Sequence, residues 1–146
     1  QQSTLAQRIE VSNPSETSTK LKFDIHPEYT IGGHGESVTD VLYFPLGQSI
    51  ERLPFWSGLG DHKTGDLSAN WWAVLDTESG LSLEQTLDAK DWAQPRVWFG
   101  QGSYNVELKS RPGLEIKAGA TWKTQLSWTL SHEKDEASFM TRTIAP

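Results

Sequence analysis

The stretch "PRVWFGQGSYNVELKS", residues 95–110, decides the fold class. Side chains alternate between the two faces of a strand. In the first arm Val97 and Phe99 fall opposite Arg96 and Trp98. In the second, Tyr104, Val106 and Leu108 share one side, and Asn105, Glu107 and Lys109 share the other. The "GQGS" between them is a turn signal. The two arms therefore read as a hairpin with one apolar face and one mixed face, on which Trp98 and Arg96 come near Asn105 and Glu107.

The same period runs outward from this hairpin. "KLKFDIH" sets Leu21, Phe23 and Ile25 against Lys20, Lys22, Asp24 and His26. "SVTDVLYFPL" sets Val38, Asp40, Leu42 and Phe44 against Thr39, Val41 and Tyr43. "LAQRIEVSN" and residues 71–76, 113–117 and 121–131 continue the pattern, with turn clusters such as "SNPSETS", "LDTESG" and "SRPG" between them. One short stretch, "LSLEQTLDAKDWA", is open to a helical reading or to strand plus loop. Residues 45–69 read as one long Gly/Pro-rich loop, of the kind that carries function. Many short strands at this spacing predict an all-β antiparallel sandwich or jelly-roll-like sheet pair, one domain over residues 1–146. Periodicity fades at the end, and residues 131–146 are expected to form an irregular tail that wraps the body or frays.

The chain holds 7 Trp, more than a small core needs, so the question is which of them face water. Trp122 and Trp128 share a face with Leu126 and Leu130 and read as core. Trp71 and Trp72 are adjacent and must point to opposite sides, one packing and the other covering a second layer or lining a groove. Trp56, Trp72, Trp92 and Trp98 are the candidates for a ligand surface, Trp56 and Trp92 because they read as loop residues. An indole beside Arg96, Asn105 and Glu107 suits a pyranose: the ring stacks its C–H face on the indole, and its hydroxyls meet the polar groups.

Composition excludes several classes of function. A formal net charge of −6 with no basic stripe argues against nucleic acid as a partner. No run reaches the roughly 18–20 apolar residues of a membrane span. Absence of Cys excludes disulfides, thiolate metal sites and a Cys nucleophile. The start at Gln1 fits a secreted or periplasmic protein after leader removal, or a piece of something larger.

Catalytic templates are missing: no G-x-S-x-G elbow, no P-loop, no dinucleotide fingerprint. "DIHPEYTIGGHGESVTD" gathers Asp24, His26, Glu28, His34, Glu36 and Asp40, yet none of the metal-binding spacings is present, so neither metal nor cofactor is expected. His26 stands out because it ends a regular strand where a sheet's rim would be. Asp76 and Glu107 could form a carboxylate pair for glycoside cleavage, although 19 acidic residues offer such pairs by chance.

Three segments, "RIEVSNPSETSTKLKF…HPEY", "WWAVLDTESGLSLEQ" and "YNVELKSRPGLEIKAGATWKTQLSWTL", together resemble the later part of a galactose mutarotase-like β-supersandwich domain. Such a domain is longer than this chain. The resemblance implies an acid–base pair that opens an aldose ring by moving protons at O1 and O5, with His26 in the acid's place and Glu107 in the base's. The leading expectation is a non-catalytic carbohydrate-binding sandwich, alone or part of a larger carbohydrate-active enzyme. It would hold a neutral oligo- or polysaccharide through Trp56, Trp72, Trp92, Trp98, Arg96, Asn105, Glu107 and His26. The alternative is a mutarotase- or epimerase-like enzyme using His26 and Glu107.

Overall fold

The computed structural model describes residues 2–31, 39–54, 63–88, 90–100 and 102–144. In chain order its strands are β1 (Gln2–Ser12), β2 (Thr19–Lys20), β3 (Asp24–Ile25), β4 (Glu28–Tyr29), β5 (Asp40–Leu46), β6 (Ser49–Pro54) and β7 (Lys63–Asp66). There follow β8 (Trp71–Asp76), β9 (Leu81–Leu87), β10 (Trp92–Gly100), β11 (Ser103–Ser110), β12 (Glu115–Ile116) and β13 (Thr121–His132). A six-stranded antiparallel sheet runs β1-β13-β9-β8-β5-β6. A five-stranded sheet runs β3-β11-β10-β7, with β4 also on β11, and β2 and β12 form a small separate pair. The architecture is the all-β sandwich that the alternating pattern predicts.

The core lies between the two sheets. Leu42, Phe44, Trp72, Val74, Leu83 and Leu126 come from the larger sheet, and Trp92, Val97, Phe99, Tyr104, Val106 and Leu108 from the smaller. Trp72 is wholly enclosed; its Nε1 donates to Gln85 at 2.5 Å, and Gln85 Nε2 donates to Tyr29 at 2.8 Å. A buried amide with partners on both sides costs little to enclose. At the other end of the seam Trp92, Phe23 and Trp122 meet edge to face, with Trp92 and Trp122 centroids 6.1 Å apart at 83°. Edge-to-face contact suits the aromatic quadrupole.

β5 and β8 are buried on both faces. Their second faces, Val41, Tyr43, Ala73 and Leu75, lie under Phe139. Phe139 ends the short helix α1 (Glu136–Phe139), which Asp135 caps by accepting from Ser138 N at 2.7 Å. A π-helical turn, Met140–Ile144, follows. Glu136 receives Arg52 Nε at 2.5 Å and also the Tyr43 hydroxyl. Farther on, Arg142 Nη2 donates to Glu84 at 2.6 Å and pairs with Glu133. The segment after β13 is thus strapped across the outer face of the larger sheet by one phenyl ring and two sets of ion pairs.

Of the two readings open for "LSLEQTLDAKDWA", the strand holds: "LSLEQTL" forms β9, and the α-helix described lies at Glu136–Phe139. Two sequence expectations need correction. Residues 45–69 are not one loop, since β6 and β7 lie within them, both as edge strands. The "KLKFDIH" stretch keeps its alternation, with Leu21, Phe23 and Ile25 half-buried, but it is split between two ladders: Lys20 pairs with Glu115 in the small β2–β12 pair, and Asp24 and Ile25 join the five-stranded sheet.

One carboxyl is enclosed with little help. Tyr104 Oη donates to Asp40 Oδ2 at 2.8 Å, while Asp40 Oδ1 meets no partner among the described residues. Burial, opposed by the Tyr104 bond and assisted by the charge of Asp76, raises its pKa to about 6. Asp76, directly opposite on β8, is in contrast held below the usual range: burial works against its charge, but Ser79, Thr39 and the Glu78 and Ser79 amides supply hydrogen bonds that outweigh it.

Candidate functional site

The outer face of the five-stranded sheet is built by the β10–β11 hairpin. Gly102 takes φ +81° in its turn, a conformation open to glycine. The register then pairs Arg96 with Glu107 and Trp98 with Asn105. Directly opposed residues of an antiparallel pair project to the same side. Because Val97, Phe99, Tyr104, Val106 and Leu108 are buried inward, the four partners share the outward face, all half-buried. Lys109 extends the row, its ammonium 3.0 Å from Glu107.

Shorter strands extend this face beyond β11. Asp24 of β3 stands opposite Lys109, and Glu28 of β4 opposite Asn105. His26 lies exposed between β3 and β4, near enough for its charge to act on Glu107. On the far side of β10, Arg96 pairs with Asp66 and Trp98 with Lys63 of β7. Glu107 is the electrostatic centre. The Lys109 hydrogen bond, then the charges of Lys109, Arg96 and His26, outweigh partial burial and hold its carboxyl below the ordinary range. An ionised carboxylate, a guanidinium, an amide and an indole edge one another on a stiff support. Such a surface can accept and donate hydrogen bonds to hydroxyls while offering one flat apolar patch.

The structure brings Arg96, Trp98, Asn105, Glu107 and His26 together. It does not bring Trp72 or Trp92 to them as ligand contacts. Trp72 is 0% exposed and Trp92 2% exposed, both sealed between the sheets, so neither ring has a face to offer a sugar. The half-buried member of the adjacent pair is Trp71. Trp92 opens strand β10 rather than sitting in a loop, and a register shift between Ala93 and Arg96 accommodates Pro95. Asp76 and Glu107 belong to different sheets, and Asp76 is consumed by the β8–β9 turn, so they form no cleavage pair. Trp56, His34 and Glu36 lie outside the described residues. Among the described residues, no group of three His, Asp or Glu is placed to hold a metal. Nor, among them, is any helix long and apolar enough to cross a membrane.

With this geometry in place, the chain can be set against solved structures. It superposes on a candidate aldose 1-epimerase from Klebsiella pneumoniae with a TM-score of 0.62 at 11% identity, covering 97% of this chain and 46% of that one. A galactose mutarotase related enzyme from Lactobacillus acidophilus gives 0.57 at 13% identity, over 90% of this chain and 59% of that one. A galactose mutarotase-like protein from Lactobacillus casei gives 0.55 at 14%, over 86% and 58%. The likeness is one of fold. No protein-family model and no curated protein sequence matches the chain. The chain spans between 46% and 59% of the length of these three proteins.

Proposed function

We propose that this chain holds a sugar on the outer face of its five-stranded sheet, a pyranose ring lying on Trp98 with its hydroxyls shared among Arg96, Asn105 and Glu107. The observation that carries the reading is the β10–β11 register, which seats the indole and the three polar groups side by side on one face. Sheet-borne side chains hold such a constellation more rigidly than loops do. The fold likeness to proteins described as mutarotase-like supports a sugar over other hydroxylated ligands.

A second reading rests on Glu107 and His26. Exchange of anomers requires a proton to leave the O1 hydroxyl and another to reach the ring oxygen. Glu107, kept ionised by Lys109 and its neighbours, is suited to accept the first. His26, exposed beside it, is suited to deliver the second.

Titration with neutral mono- and oligosaccharides, followed by tryptophan emission and calorimetry, tests the first reading. Trp98→Ala is expected to weaken binding at least tenfold, and an intact chain that binds no member of a broad panel refutes it. Polarimetry on freshly dissolved aldoses tests the second. Mutarotation faster than in buffer and lost in Glu107→Gln supports an enzyme, whereas binding without acceleration leaves the holding role alone.

A further inference from the structure

We propose that the opposite side of the molecule, the outer face of the six-stranded sheet, carries a second ligand site: a trough that takes an uncharged glycan chain. It shares no residue with the face described above and does not depend on that reading. On this side β8, β9 and β13 present Trp71, Thr86 and Ser127 in one row, since Trp71 pairs with Thr86 and Thr86 with Ser127. Two contiguous cavities lie along the row. One, of about 380 Å³, is bounded by Trp71 and Asn70, with Thr86 in its floor. The other, of about 480 Å³, continues from Asn70 and Thr86 past Asp88 to Gln125 and Ser127. From Trp71 to Ser127 is two strand spacings, about 10 Å. That length suits more than one sugar ring.

The chemistry of the lining selects the occupant. Trp71 is half-buried, its apolar support coming from the Val41, Tyr43, Ala73, Leu75 and Phe139 cluster, so the ring is fixed while part of it stays open. Asn70, Thr86, Gln125 and Ser127 each both donate and accept, as sugar hydroxyls do. The two carboxylates at the margins are already engaged: Glu84 accepts from Arg142 at 2.6 Å, a guanidinium it shares with Glu133, and Asp88 pairs with Lys90 at 3.1 Å. The residues that line the trough include no cation for an anionic partner, and its two carboxylates are already bound to neighbouring cations. The Thr86 and Ser127 hydroxyls interrupt the apolar surface that an apolar helix would need. A rigid indole at one end of a channel lined by amides and hydroxyls, with no cation, fits an uncharged polyhydroxylated chain.

The test is an amide-resolved NMR titration of the intact chain with neutral tetrasaccharides of glucose, mannose and xylose, and with an oligogalacturonate as the charged control. At least one neutral oligomer is expected to shift Asn70, Thr86, Gln125, Ser127 and the Trp71 indole N–H. Trp71→Ala should weaken this binding at least tenfold. Thr86→Arg, a change at an exposed position that leaves the core intact, should abolish it. Trp98→Ala on the far face should leave it unchanged. Silence of these amides across the neutral panel overturns the proposal, as does an equal response to the uronate. Shifts confined to the Arg96 and Trp98 face would overturn it while sustaining the first site. Unaltered binding in Thr86→Arg would overturn it too, as would a Thr86→Arg effect on sedimentation alone, which would assign the face to a second copy of the chain.

Discussion

Replacing Asp40 with Asn should change how the stability of this protein depends on pH. Asp40 is 2% exposed, has one hydrogen bond from Tyr104 and faces the carboxylate of Asp76 across the strand pair. Its pKa rises from 3.8 to about 6, chiefly through burial. A carboxyl raised on folding is more protonated in the native chain than in the unfolded one. Between the two values the native state binds the extra proton, so stability is greatest below the lower value and falls as pH rises through the upper. A shift from 3.8 to about 6 corresponds to about 3 kcal/mol at roughly 1.4 kcal/mol per unit. Asn cannot titrate. Its buried amide will shift the baseline, but by the same amount at every pH. Urea unfolding of both proteins from pH 3.5 to 8 isolates the difference. The wild type should lose about 3 kcal/mol relative to Asp40→Asn between about pH 4 and pH 7, with no further divergence above. Two profiles that run parallel across that window would refute the claim that Asp40 is buried at a cost.

Two further substitutions probe the frame. Gly80 has φ +77°, and a Cβ there would sit 2.3 Å from the Glu133 carbonyl oxygen, so Gly80→Ala should cost at least about 2 kcal/mol and lower Tm by about 4–8 °C in a calorimetric scan. Phe139→Ala removes the ring that covers Tyr43 and Leu75, and should cost about 3 kcal/mol in urea unfolding while leaving the Arg96 and Trp98 face of the far sheet unaltered in an NMR amide spectrum.

The readability of this fold from sequence follows from how often one face is wet. Where a strand has one covered and one solvated side, as in β10 and β11, alternation names the inward residues and puts Arg96, Trp98, Asn105 and Glu107 on one outward face, while the register supplies the pairs Arg96–Glu107 and Trp98–Asn105. Where both sides are covered the signal vanishes. "WWAVLD" is apolar throughout because the other sheet lies on one side and Phe139 on the other, so nothing local tells Trp72 from Trp71. Trp92 is hidden by its company: Asp91 and Pro95 suggest a loop, yet Asp91 accepts from Thr124 at 2.5 Å and Trp92 packs against rings more than twenty residues away in the chain. Long-range partners leave no mark within a short window. The trough beside Trp71 is a further case, because its walls come from β8, β9 and β13, and only the register joins them.

The near-perpendicular indoles of Trp92 and Trp122 have a spectroscopic use, since one ring belongs to each sheet. Transition dipoles so close and so skewed couple, giving circular dichroism a signed band separate from that of the peptide backbone. Separation of the two layers can thus be timed apart from the melting of their strands.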